Sequence, residues 1–180
     1  MTQADKLSPP SSWVTRFAHR IPKGGKVLDV ACGRGRHTRF FLERGHPVVA
    51  IDRDIERLGE LRQHPKIEAL AIDLESGEPW PFPASRFAGI IVTNYLYRPL
   101  FPSLVESLSE NGVLIYETFA KGNERFGHPK NPDYLLEEGE LLRRLVGELY
   151  VVSYEQCEQN EPEPAVLQRI AAIRKPNPWH

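Results

Sequence analysis

The residues best suited to bind a ligand lie in a turn that follows a short apolar segment near the N-terminus. Residues 27–30 are apolar apart from Asp29, which predicts a buried strand, and an apolar helix follows Gly35. In the turn between them, Gly33 and Gly35 permit positive φ angles and a close approach of a ligand to the main chain. The free N–H groups of the helix's first turn point into the same space. The segment therefore predicts a site for a nucleotide-like ligand, with Asp29 as an acceptor at its edge.

Two common phosphate-binding motifs do not fit this turn. A dinucleotide fingerprint needs a third glycine, whereas the two glycines here are followed by Arg36, His37 and Thr38. A P-loop needs Gly-Lys followed by Ser or Thr, and the sequence contains no such tripeptide. The pattern excludes a P-loop and counts against, without excluding, an NAD(P)-dependent oxidoreductase.

Residues 28–36, Leu-Asp-Val-Ala-Cys-Gly-Arg-Gly-Arg, resemble motif I of the class I S-adenosylmethionine (SAM)-dependent methyltransferases. They are most similar to small bacterial members, of the tellurite-resistance and type 11-like groups. Ala31 departs from the pattern, because many members carry glycine there. The resemblance covers residues from about Trp13 to Ile173. It implies SAM as the cofactor and an enzyme that transfers its methyl group; a catalytically silent SAM-binding module is the alternative.

Two further acids follow predicted strands. Asp52 ends the apolar segment 47–52, near the roughly 20-residue offset from Asp29 at which an acid meets a ribose. Asp52 could instead cap a helix over residues 54–62. Asp73 follows a predicted strand over residues 67–72, and the resemblance implies that Asp73 and Leu74 contact the adenine. We expect the three acids to converge with the glycine turn on one cavity.

The resemblance also implies the other cofactor contacts. Asp29 would serve the methionine amino group and the Gly33–Gly35 backbone the methionyl end. Arg36 would pair with the methionine carboxylate, or is a surface arginine. The predicted cofactor-binding residues are Asp29, Ala31, Cys32, Gly33, Gly35, Arg36, Asp52, Asp73, Leu74 and Asn94.

The acceptor side is less defined. The exit of a predicted fourth strand over residues 87–93 should lie against the methyl group, and it lacks the prolines of the amino-methylating DNA enzymes. After a predicted fifth strand over residues 113–119, the polar, Gly- and Pro-rich stretch 120–133 is typical of a binding loop. The sequence does not choose among the candidate catalytic residues Glu117, His128, Tyr95 and Tyr97.

The order of elements predicts an α/β fold. Helices are expected over residues 12–21, 36–44, 55–62, 102–110 and 134–146. Two strands over residues 150–155 and 165–173 have only a loop between them, which predicts a hairpin instead of a further β-α-β unit. The resemblance implies a Rossmann-like, seven-stranded, mostly parallel sheet in the order 3-2-1-4-5-7-6. The last two strands would form its antiparallel hairpin, and helices would cover both faces.

Length and composition bound the function further. The chain of 180 residues predicts one domain over residues 11–180 after a flexible arm over residues 1–10. A net charge of −1, from 23 basic and 24 acidic residues, gives no overall field for nucleic acid or membrane. Two cysteines without ligand spacing predict no metal site, and the absence of a long apolar run predicts a cytoplasmic protein. We expect a small-molecule acceptor, with nucleic acid or protein as alternatives, and a monomer or homodimer.

Overall fold

The computed structural model describes residues 8–175 of the chain. Seven strands form one sheet in the order β3-β2-β1-β4-β5-β7-β6, as predicted. The strands are β1 Val27–Val30, β2 Val48–Asp52, β3 Ile67–Ala71, β4 Phe87–Thr93, β5 Leu108–Phe119, β6 Leu149–Gln159 and β7 Ala165–Arg174. The α-helices are α1 Ser12–Phe17, α2 Arg36–Glu43, α3 Phe101–Ser107 and α4 Glu140–Leu145.

Strand direction places the ends of the first five strands together. Strands β1 to β5 are mutually parallel, with Asp29 opposite Ala50 of β2 and Ile91 of β4. Strand β7 runs antiparallel to both β5 and β6, which confirms the predicted hairpin. Because the carboxyl ends of parallel strands share one edge, the segments after β1, β2, β4 and β5 meet there.

The sheet is covered on both faces. Helices α1 and α2 pack on one face, where Trp13 and Phe41 join Ile91 in a common apolar cluster. Helices α3 and α4 cover the other, where Leu104 and Leu141 pack in the cluster around Ile90. Burial on both faces explains why β1 and β4 are nearly continuous apolar runs instead of alternating ones.

Two predicted helices are wrong. Residues Ile55–Gln63 form 3-10 turns interrupted at Gly59, whose φ of 57° is not helical. Within residues 134–146 only Glu140–Leu145 is α-helical, and a 3-10 turn covers Pro132–Tyr134. Leu136 is buried because it forms a bridge beside β5, its N–H donating to the carbonyl of Phe119 at 3.0 Å.

Three predicted boundaries also move. The N-terminal helix ends as α1 at Phe17, and a 3-10 turn over Ala18–Arg20 completes the segment. Helix α3 ends at Ser107 instead of Glu110, because Leu108 already pairs with Phe87 and opens β5. Strand β6 continues to Gln159, four residues beyond its predicted end. Within residues 8–175, no helix is long and apolar enough to span a bilayer.

Candidate active site

A cavity of about 310 Å³ opens at the carboxyl edge of the sheet, above β1 and β4. Five predicted cofactor-binding residues line it: Ala31, Cys32, Gly33, Arg36 and Asn94. Its other lining residues are Ser8, Arg34, His37, Arg57 and Thr93. The glycine turn and the exit of β4 therefore come together as the sequence predicts.

The turn that forms the cavity's floor needs left-handed backbone at three positions. The φ angles are 52° at Ala31, 55° at Gly33 and 78° at Gly35. A Cβ atom on Gly33 would meet no atom within 4 Å, whereas one on Gly35 would lie 2.5 Å from Cδ2 of Leu58. Gly33 therefore keeps space open at the cavity, and Gly35 permits close packing. Ala31 holds the same conformation despite its Cβ, at a cost of about 1 kcal/mol.

Asp52 braces this turn. Its Oδ2 accepts a hydrogen bond from the backbone N–H of Gly33 at 2.8 Å, and its Oδ1 accepts one from that of Asp54 at 2.9 Å. The carboxylate thus joins the end of β2 to the turn after β1. The bond from Asp54 is a local turn contact, and the α-helix over residues 54–62 that Asp52 could have capped does not form.

The other two acids lie at the predicted strand ends but have other partners. Asp29 is buried below the turn and accepts a 2.6 Å hydrogen bond from the hydroxyl of Thr38. Burial raises the pKa of Asp29 to about 6, against the lowering effect of that hydrogen bond. Asp73 is exposed beside Leu74, and its Oδ1 accepts from the N–H of Glu75 at 3.0 Å. None of the three carboxylates lines the cavity of about 310 Å³.

Arg36 and Cys32 differ in what they offer a ligand. The guanidinium of Arg36 is half-buried at the start of α2, and no ion pair within residues 8–175 involves it. Cys32 is buried, and burial raises the pKa of its thiol, which keeps it protonated. Arg36 is thus a cation available to an anionic group, and Cys32 is a packing residue.

His37 is a site residue that the sequence did not reveal. Its Nε2 lies 3.1 Å from the backbone N–H of Ser11, which donates to it, so Nδ1 carries the ring proton and faces the hydroxyl of Thr93 at 3.3 Å. Burial, with the charge of Arg36, lowers the pKa of His37 to about 3, so the ring is neutral. No sequence signal relates His37 to a serine 26 positions away.

A second cavity, of about 720 Å³, adjoins the first and shares Ser8, Arg36 and Asn94 with it. Its walls are residues 8–12, residues from the end of β5 and the loop after it, and the loop of the β6–β7 hairpin. Glu117 and His128 line it.

Neither cavity is lined by the remaining catalytic candidates, Tyr95 and Tyr97. The hydroxyl of Tyr95 donates to Glu75 at 3.2 Å, and burial raises its pKa.

Glu117 and Arg169 form an ion pair in the wall of the second cavity. Oε2 of Glu117 lies 2.6 Å from Nε of Arg169, and their side chains are 8% and 13% exposed. The two residues are direct partners in the β5–β7 register. Arg169 was not among the predicted site residues, because only that register brings it to Glu117.

Comparison with known proteins agrees with this geometry. Residues 27–111 match the methyltransferase domain family. An uncharacterized protein of Haemophilus influenzae is 29% identical over 116 residues, which are 52% of this chain and 42% of that protein. The matched part is thus less than half of that relative's length.

Solved structures share the fold. TehB from Haemophilus influenzae superposes with a TM-score of 0.73 at 16% identity, over 93% of this chain and 64% of that one. A 1,6-didemethyltoxoflavin N1-methyltransferase from Burkholderia thailandensis, with S-adenosylhomocysteine bound, gives 0.70 at 18% identity, over 96% of this chain and 80% of that one. Residues 27–111 of this chain thus match the methyltransferase domain family, and the chain shares the fold of these solved structures.

Proposed function

We propose that this chain binds SAM in the smaller cavity and transfers its methyl group to a small molecule bound in the larger one. The observation that carries the proposal is the continuity of the two cavities at the carboxyl edge of the sheet, where Arg36 and Asn94 line both. A donor and an acceptor bound there would be neighbours at the exit of β4.

The residues of the smaller cavity fit SAM. The open space above Gly33 admits a ligand to the backbone, and α2 begins at Arg36 on the same cavity. Arg36 would hold the methionine carboxylate, since it has no ion pair in the described chain. Asp52 would serve the ribose as well as the turn, and Asp73 with Leu74 would bound the adenine. Asp29 would act from below, by fixing the first turn of α2 through Thr38.

When bound, SAM would supply a methyl group on its sulfonium sulfur, which leaves as a neutral thioether and is therefore a good leaving group. The protein's own task is therefore to orient an acceptor and to exclude water, both of which lower the barrier without a strong base. The segment of residues 8–12 contributes here, because it forms one wall of the larger cavity and is tied to the cofactor side by His37.

A small molecule suits the larger cavity better than a macromolecule. Its volume of about 720 Å³ lies within the range of small-molecule sites, and loops surround it. Two solved structures of this fold, the toxoflavin enzyme and the N-methyltransferase NodS from Bradyrhizobium japonicum, also bear names that indicate N-methylation. These names support the proposal without fixing the acceptor.

The test is methyl transfer from radiolabelled SAM to an extract separated by size. We expect label in the low-molecular-weight fraction with the native chain, and much less with Gly33→Ala at a SAM concentration below saturation, because the added Cβ fills the space above the turn. Label confined to protein or nucleic acid would contradict the small-molecule acceptor. If no fraction carries label, the result would contradict methyltransferase activity.

A further inference from the structure

We infer that Glu117 sets the class of acceptor: a neutral, flat small molecule that donates an N–H or O–H hydrogen bond. The inference rests on the proposed function, since it names what the larger cavity holds. It starts from a carboxylate that the fold buries in the cavity wall and leaves short of partners.

Glu117 lies where an acceptor must bind. It follows Tyr116 near the end of β5, and its carbonyl accepts the backbone N–H of Asn94, at 2.9 Å. Asn94 lines both cavities, so Glu117 stands beside their junction. A group held by its carboxylate would therefore be close to the cofactor side.

The carboxylate of Glu117 has acceptor positions to spare. The side chain lines the larger cavity and is held by Arg169, whose Nε lies 2.6 Å from the fully buried Oε2; Oε1 is not among the fully buried atoms and accepts no hydrogen bond from residues 8–175. An ionised carboxylate offers about four acceptor positions. A ligand that donates a hydrogen bond to Oε1 therefore gains a charge-assisted contact that the protein itself does not make.

Charge balance argues that this donor is neutral. Glu117 and Arg169 form a pair without net charge, and Arg169 also lies 3.7 Å from Glu155 and contacts Gln159. A cationic ligand would meet Arg169 and Arg36 on the same cavity, and an anionic ligand would meet Glu117 and Glu163. A neutral N–H or O–H donor avoids both repulsions.

The remaining wall favours a flat ring. Phe119, Phe126 and Leu167 line the same cavity, and Phe126 is 39% exposed although it is a large apolar residue. Aromatic and aliphatic side chains around a few polar groups are typical of sites for ring-shaped ligands. A heteroaromatic N–H compound, or a phenol, combines this shape with the donor.

The test uses quinazolin-4(3H)-one and its N3-methyl derivative as probes, which differ in one N–H donor. Both are titrated calorimetrically into the full chain saturated with S-adenosylhomocysteine. We expect the N–H probe to bind at least about tenfold more tightly to the native protein, because a hydrogen bond to a charged group contributes about 1.5–3 kcal/mol. In Glu117→Gln this preference should fall below about threefold. In Glu158→Gln, a matched change of an exposed glutamate that does not line the cavity, the preference should persist.

Each outcome has one meaning. Failure of the native chain to bind S-adenosylhomocysteine would reject the proposed function itself. Three results would overturn only the inference about Glu117, provided that the chain binds S-adenosylhomocysteine. The native chain could bind both probes equally, it could bind neither probe up to about 10 mM, or Glu117→Gln could keep the native preference. The native comparison of the two probes needs no variant, so it stands even where Glu117→Gln unfolds.

Discussion

The Nε2 atom of His37 accepts the backbone N–H of Ser11 at 3.1 Å. Ser11 is the N-cap of α1, its hydroxyl accepting from Trp13 and Val14, and His37 belongs to the first turn of α2. This one bond joins the wall of the larger cavity to the first turn of α2, beside the glycine turn. It requires an unprotonated Nε2, which burial of the ring ensures by lowering its pKa to about 3.

We expect His37→Ala to lower the free energy of unfolding by about 2–4 kcal/mol, because it leaves a cavity and an unpaired Ser11 N–H. Affinity for S-adenosylhomocysteine should fall with it, since residue 37 lines the smaller cavity, where we propose that the cofactor binds. Urea denaturation and calorimetric titration measure the two effects. His19→Ala, at an exposed ring, is the control and should change neither. Equal stability of the two variants would contradict the role of the bond.

Two buried groups make the free energy of unfolding depend on pH in opposite directions. His37 titrates near 3 when folded and near 6.5 when unfolded, so its contribution is lost as pH falls through that window. Asp29 titrates near 6 when folded and near 3.8 when unfolded, so its contribution is present at low pH and lost as pH rises through 6. Between about pH 4 and 6 the two slopes, each about 1.4 kcal/mol per pH unit, oppose each other.

Asp29→Asn should therefore be more stable than the native chain at pH 8, by an amount on the order of 2 kcal/mol, because it removes a buried charge. Between pH 6 and 4 its stability should fall, since the contribution of His37 is no longer offset. Thermal or urea unfolding over that range measures both effects. A variant whose stability is parallel to that of the native chain at every pH would refute the assignment. We also expect Asp29→Asn to bind S-adenosylhomocysteine more weakly than the native chain, because Asp29 holds the first turn of α2 through Thr38.

Three glycine-to-alanine changes separate packing from ligand space. Gly33, Gly35 and Gly45 all have positive φ, but a Cβ would clash only at Gly35, which lies against Leu58. Gly45→Ala should cost about 1 kcal/mol from φ strain alone. Gly33→Ala should cost the same in stability yet reduce S-adenosylhomocysteine affinity at least tenfold, since its Cβ enters the cavity. Gly35→Ala should lose more stability than either. Normal affinity in Gly33→Ala would place the ligand elsewhere.

Asp52 and Asp54 form a matched pair that tests the proposed ribose contact. Asp52→Asn keeps an oxygen for the N–H of Gly33 but loses the charge and one acceptor, so we expect at least tenfold weaker cofactor binding. Asp54→Asn changes an exposed carboxylate two residues away and should leave affinity unchanged. Calorimetry on both variants checks this. Similar affinities would show that Asp52 braces the turn without meeting the ligand.

The sequence predicts what local pattern and spacing determine. Strands β1 and β4 have the predicted bounds, because runs buried on both faces admit little alternative, and the predicted strand order is confirmed. The helix expected from Tyr134 is wrong because tertiary contacts bury Leu136 without one. The pairing of Glu117 with Arg169 depends on sheet register, and the contact of His37 with Ser11 on how α1 docks. Neither contact can be predicted from local sequence, because its two residues lie far apart along the chain.

The most direct test of the account is calorimetric titration of the full chain with S-adenosylhomocysteine and, separately, with NADH. We expect saturable binding of S-adenosylhomocysteine at one site per chain, its loss in Gly33→Ala and its persistence in Gly45→Ala, with no heat from NADH. No binding of S-adenosylhomocysteine, or binding of NADH in its place, would contradict the assignment of the glycine turn to SAM.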